Sequence, residues 1–169
     1  MITSVAEFVK YFDGVRRRTA VAVDRVGPLL AGFKPKSDEW TCAQIVRHLT
    51  GAEAFFVTKV VEDRFTTDLE LGPAEAWAVS RARFDDVHRA QMTRLAALPD
   101  ARLREKVADL DGGSISAWRF LMAMVEHEVH HRSQLDAWLT LAGAEAPQIY
   151  GYRMEDVVAK VGAKAGAPS

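Results

Sequence analysis

Residues 126–135 read EHEVHHRSQL and place His127, His130 and His131 inside five consecutive positions. His127 and His131 are four residues apart, which on a helix puts them about 40° apart around the axis and one turn apart along it. Two imidazoles so arranged can hold one metal ion. They also lie on an i, i+3/i+4 series with Phe120, Met124, Leu135 and Trp138, so they face the apolar side of the helix. A buried polar ring without a partner costs free energy. The pair therefore reads as metal ligands in preference to satisfied core histidines. His48 lies on a second apolar stripe, with Ile45, Leu49, Ala52 and Phe56. Alone it reads as a packing residue, but beside a pair in need of a third ligand it becomes the candidate third. Three imidazoles from two helices leave coordination positions open, as in catalytic rather than structural sites.

The neighbouring polar groups carry weaker signals. His130 lies about 100° from His131 and about 60° from His127, which gives it an exposed or interface role. Glu128 has three open roles: orienting an imidazole, acting as a general base, or standing in solvent as a surface carboxylate. His88 has no partner in sequence and reads as a surface residue. Glu126 and Asp136 read as solvated charges.

The string H-E-x-x-H also occurs in zinc peptidases, where the glutamate activates water. The longer form of that motif continues to a glycine and a third histidine, and this chain has Gln134 and Ala137 at those places. No edge strand is predicted to hold a peptide, and Glu145 and Glu155, the conceivable acidic ligands, lie beyond the helix stop. A peptidase is disfavoured.

The elements that must position the histidines are helical. The first helix spans about Val5 to Leu30, with a kink or end expected at Gly27-Pro28. The second opens at Thr41, where Thr41 and Gln44 match a capping box, and runs to about Arg64. The third starts near Pro73 and ends near Leu98-Pro99. Residues 100–115 form a connection whose DGGS stretch allows a short hairpin, with no strand alternation of useful length. The fourth helix runs from near Ser116 to Leu141, and a short helix covers about Met154 to Val161. The expectation is an all-α fold, a four-helix bundle with a short extra C-terminal helix. It forms a single domain over residues 1–161, with a frayed tail at 162–169.

The whole chain narrows the function classes. It has 169 residues, enough for one domain with a real core. Its 22 Lys and Arg against 23 Asp and Glu give a net charge of −1, which argues against a nucleic-acid binder. The one basic run, Arg16-Arg17-Arg18, points in three directions on a helix and reads as a solvated face. Cys42 is the sole cysteine, so no intrachain disulfide forms, which fits a reducing cytosol. Neither a signal peptide nor a membrane span is recognisable, and a cytoplasmic protein is expected.

Trp40-Thr41, His48 with Glu53 downstream, HEVHHRSQL and APQIYG together resemble the DinB-like (DinB/YfiT) superfamily, over nearly the whole chain. The most specific element is H-x-x-x-H-R-x-Q on the fourth helix, paired with one histidine early in the second. The family often has glycine between that arginine and glutamine, where this chain has Ser133, which is also small. The resemblance implies a four-helix bundle that binds a divalent metal, zinc or nickel, with His48, His127 and His131 at the matching positions, zinc being favoured here. It implies a homodimer. It also implies a thiol-dependent transferase or isomerase using a low-molecular-weight thiol such as bacillithiol, mycothiol or glutathione on a small electrophile. The alternatives are a metal-dependent hydrolase and a metal-binding bundle without catalysis. A metal held by three neutral imidazoles keeps its charge and can stabilise a thiolate or ionise water. Arg132, Tyr150 and Arg153 are candidates for recognising the thiol by their chemistry alone.

Overall fold

The computed structural model describes residues 2–68, 75–145 and 147–165, with the backbone alone for 163–165. Helix α1 is Val5–Leu30, α2 Cys42–Glu62, α3 Trp77–Ala96, α4 Ala117–Leu141 and α5 Met154–Ala165. The all-α expectation holds. Ser4 caps α1, with its hydroxyl accepting from Glu7 N–H and Glu7 returning to the Ser4 backbone. Thr41 and Gln44 form the predicted box at α2. Gly27 interrupts α1 with φ 55° and ψ −179°, because the Pro28 ring disfavours helical geometry at the preceding residue and only glycine tolerates that φ cheaply. The predicted start of α3 at Pro73 lies outside the described residues.

The connection after α3 holds a 3-10 turn and two three-residue strands, β1 Lys106–Ala108 and β2 Ser114–Ser116, paired antiparallel with Val107 opposite Ile115. Asp109 makes the turn, its Oδ1 accepting from the N–H groups of Asp111 at 3.0 Å and Gly113 at 2.7 Å. Three residues are too few for an alternating pattern to register in sequence. Helix α5 continues past Val161 through Ala165, consistent with the helix propensity of its alanines.

The core is divided along its length. One apolar cluster holds Phe8 and Phe12 of α1, Val57 and Val60 of α2, Leu95 of α3 and Leu121 of α4. The other holds Val23 and Val26 of α1, Ile45 and Leu49 of α2, Phe84 of α3 and Leu139 of α4. The order in which each helix meets the two clusters shows that α1 and α4 run one way and α2 and α3 the other. Between the clusters the helices bring in polar residues: Arg16 and Thr19 from α1, Glu53 from α2, His88 from α3, and Glu128 and Arg132 from α4. No described helix is long and apolar enough to cross a membrane.

Candidate metal centre

His48 of α2 meets His127 and His131 of α4 at the level where the two apolar clusters part. The Nε2 atom of His48 lies 2.8 Å from Nε2 of His127 and 3.1 Å from Nε2 of His131. One ligand atom from each ring lies within 4.8 Å of the others. The three side chains that the spacing argument singled out come together: i and i+4 on α4 present two rings to the same groove, and the inward stripe of α2 presents the third.

One N–H on His48 Nε2 cannot serve both facing rings fully at once. A neutral ring has one N–H and one acceptor nitrogen, and the other nitrogen of His131 is already engaged. His131 Nδ1 donates to Gln134 Oε1 at 2.9 Å. That bond places the ring's proton on Nδ1 and leaves the Nε2 lone pair facing His48. An acceptor of this kind behind an imidazole is the usual way a protein orients a metal-binding histidine. Burial, followed by the charges His48, His131 and His130 would carry, pushes His127 down to about 3. His127 is therefore a neutral lone-pair donor at physiological pH. Three converging imidazole nitrogens could hold a metal ion.

Aromatic rings wall the cluster. The Trp40 ring lies 4.7 Å from His48 and 5.8 Å from His131, and its carbonyl accepts from Trp138 Nε1 at 2.8 Å. Phe56 lies 5.9 Å from His127 on the other side. A cavity of about 270 Å³ opens on His48 and His127 between Phe55, Phe56, Ala52, Thr66 and Thr67. A second, of about 250 Å³, reaches His131 past Asp38, Glu39 and Trp40. A larger trough of about 590 Å³ lies elsewhere, against Tyr11, Leu103 and Trp118. It is lined mostly by apolar groups and holds no cluster of metal-ligating side chains, so its size does not make it the reactive site.

Several sequence expectations are corrected. Arg16 is not part of a solvated face: it is 2% exposed and pairs with Glu53 and Glu128. Its neighbour on the helix series, Phe12, is four residues earlier, so the inward stripe passes through it. His88 is not a surface residue either. It is half-buried, with Nδ1 2.8 Å from Glu53 Oε1 and Nε2 3.0 Å from Asp13 Oδ1. A neutral ring supplies one N–H and so donates fully to only one of the two carboxylates at a time. Burial and the Arg16 charge keep His88 below the ordinary imidazole range, against the pull of Asp13 and Glu128.

Glu128 resolves among its three roles into none of them alone: it is 2% exposed, with Oε2 3.3 Å from Arg16 Nη1. A glutamate held there is not the water-activating base of a peptidase. Asp136 is half-buried rather than solvated, and burial pushes its carboxyl up against the opposing effect of Arg132. Glu126 is exposed beside Arg119, and His130 is exposed with its ring 4.8 Å from His131. Arg132 is buried one turn beyond Glu128. Tyr150 is exposed against the Arg18 guanidinium, and Arg153 pairs with Glu145. None of these three lines either cavity beside the histidines.

Sequence reasoning missed the hub of charges on Arg16 and the role of Gln134. The signal for the first was present, since Phe12-Arg16 on α1 and Phe84-His88-Met92 on α3 are i, i+4 series interrupted by one polar residue.

A helical bundle with three histidines converging from two facing helices is the class of protein this site defines. The sequence profile of the DinB superfamily matches residues 11–135, and the chain belongs to that superfamily. It is 31% identical over 128 residues to the uncharacterized protein YrdA of Bacillus subtilis (strain 168), covering 71% of this chain and 72% of that protein. Two solved structures share the fold. The DinB-like protein YjoA of Bacillus subtilis matches with a TM-score of 0.69 at 18% identity, over 85% of this chain and 96% of that one. A DinB-like protein from Bacillus cereus ATCC 10987 matches with a TM-score of 0.73 at 19% identity, over 87% and 98%.

Proposed function

We propose that the protein binds one divalent metal, zinc or nickel, through His48, His127 and His131, and that it is a metal-dependent S-transferase or isomerase joining a low-molecular-weight thiol with a small electrophile. The observation that carries the reading is the convergence of three Nε2 atoms at the mouth of an aromatic-walled cavity. A divalent cation held there would supply the charge that keeps a thiol in its thiolate form at neutral pH. Three imidazoles, with no fourth ligand joined to the group among the described residues, leave room for a small molecule.

The chain's own side chains support the rest. Gln134 fixes the tautomer of His131. Phe55 and Phe56 shed water from the approach to His48 and His127, while the Thr66 and Thr67 hydroxyls offer hydrogen bonds to a polar group. Among the described residues the side chains lining this cavity, the histidines apart, are uncharged, which favours a neutral electrophile. A thiol from outside is needed in this reading, because burial pushes the Cys42 thiol up to about 11 and keeps it from solvent.

The test is metal content by plasma mass spectrometry on protein purified without a histidine tag, followed by consumption of a panel of low-molecular-weight thiols with a neutral alkylating agent. About one metal per chain, and thiol consumption lost in His48→Ala, supports the proposal. Absence of metal after reconstitution with zinc and nickel sinks it. Stoichiometric metal without turnover of any thiol leaves a metal-binding bundle and removes the enzyme.

A further inference from the structure

The two helices that carry the histidines are also the two that Arg16 holds. Arg16 Nη2 hydrogen-bonds Glu53 Oε2 on α2, and Nη1 lies 3.3 Å from Glu128 Oε2 on α4. Glu53 is five residues beyond His48 and Glu128 is next to His127. The guanidinium packs 4.2 Å from the Phe84 ring of α3, and His88 of α3 takes the other oxygen of Glu53 at 2.8 Å. Each of the four bundle helices thus contributes to one buried charged layer, with Arg16 at its centre.

We propose that Arg16 is a positioning residue for the metal centre. Its forked guanidinium sets the rotation and spacing of α2 against α4, so that the three Nε2 atoms meet. The inference rests on the metal-binding reading above.

The magnitudes favour a device of this kind. A side-chain tip about 6 Å from a helix axis moves about 1 Å when the helix rotates by about 10°. Metal–nitrogen bonds tolerate only about 0.2 Å. The ion-paired fork adds a directional constraint to the apolar packing of α2 against α4. The Nη2 hydrogen bond to Glu53 is directional, and the Nη1 contact with Glu128 adds charge attraction from the same planar group. Stability alone does not account for the layer, since buried ion pairs are commonly replaceable by apolar residues without loss.

The experiment compares zinc affinity, by competition with a chromophoric chelator, across four tag-free full-length proteins: wild type, Arg16→Lys, the combined Arg16→Met/Glu53→Met/Glu128→Met, and Leu95→Ala. Leu95 is fully buried on α3, which carries no ligand, and serves as a core variant destabilised by other means. The visible spectrum of the cobalt-substituted protein and the melting temperature of the zinc-free protein are read alongside. Arg16→Lys keeps the charge and loses the fork; the triple variant removes all three charges together.

Both are expected to bind zinc at least about tenfold more weakly with an altered cobalt spectrum, while Leu95→Ala melts lower and binds as wild type. Wild-type affinity and spectrum in the triple variant overturn the proposal. If that variant does not fold, the decision passes to Arg16→Lys, where wild-type affinity overturns it. An equal loss of affinity in Leu95→Ala also overturns it, since the effect is then one of general stability. A wild-type protein that binds no zinc defeats the metal-binding reading itself, and this inference falls with it.

Discussion

The histidine cluster between α2 and α4 and the charged layer around Arg16 lie at the same height in the bundle but are built on opposite principles. The cluster gathers three like groups whose Nε2 atoms face one another. Charge on either neighbouring ring opposes protonation of His127. The layer gathers unlike groups, a guanidinium between Glu53 and Glu128 and an imidazole between Glu53 and Asp13. Its members compensate each other and are more deeply buried. A cluster of like groups whose nitrogens converge is suited to a cationic guest; a layer of opposite charges is suited to holding helices in register.

The sharpest way to break this comparison is at the guest site. His131→Ala is expected to abolish metal retention while leaving the helical circular dichroism unchanged, because the ring is half-exposed and the helix tolerates alanine. Retained metal would mean that the cluster is not the binding site.

Next comes the layer. Glu53→Ala leaves the Arg16 charge without its hydrogen-bonded partner in a site 1% exposed for the glutamate, and a loss of about 3–5 kcal/mol is expected in chemical denaturation. A loss under about 1 kcal/mol would mean the layer behaves like a surface ion pair.

A third test separates the two by pH. In metal-free protein His127 titrates near 3 when folded, against an ordinary 6.5. The unfolded chain therefore takes up a proton first as pH falls. Stability is full above about 6.5 and is expected to decline as pH falls toward about 3. Melting curves of wild type and His127→Gln across that window should converge at acid pH, the variant showing the flatter dependence. Parallel curves would place the acid sensitivity in other groups.

The smallest effect is expected at Gln134→Leu. It removes the acceptor from His131 Nδ1 and should weaken metal binding about tenfold, read by chelator competition, with melting of the metal-free protein almost unchanged.

The two regions also differ in how far they could be read from the chain. His127 and His131 announce themselves because helical spacing puts two rare residues on one apolar face, and His48 follows by the same logic on another stripe. The Thr41–Gln44 box, the Gly27-Pro28 kink and the four long helices were equally legible, since each depends on residues within one turn of one another. Arg16 was hidden as one of three consecutive arginines, and Glu53, His88 and Glu128 each looked like an ordinary polar residue on a helix. Their burial depends on partners on other helices, and a charge bound for a paired interior site has the same local signature as one bound for solvent. The inward i, i+4 series through Arg16 and His88 was the available clue, and it says only that the position faces inward, not what meets it.

The amino-acid sequence by itself determined the helices, their caps and which face of each is apolar, because those depend on backbone geometry and near neighbours. It determined that three histidines face the interior. Only the tertiary structure decided that their nitrogens converge beside a cavity, and that a buried arginine joins the two helices bearing them. Those outcomes depend on the rotation and height of one helix against another, and that is settled by the packing of all four at once.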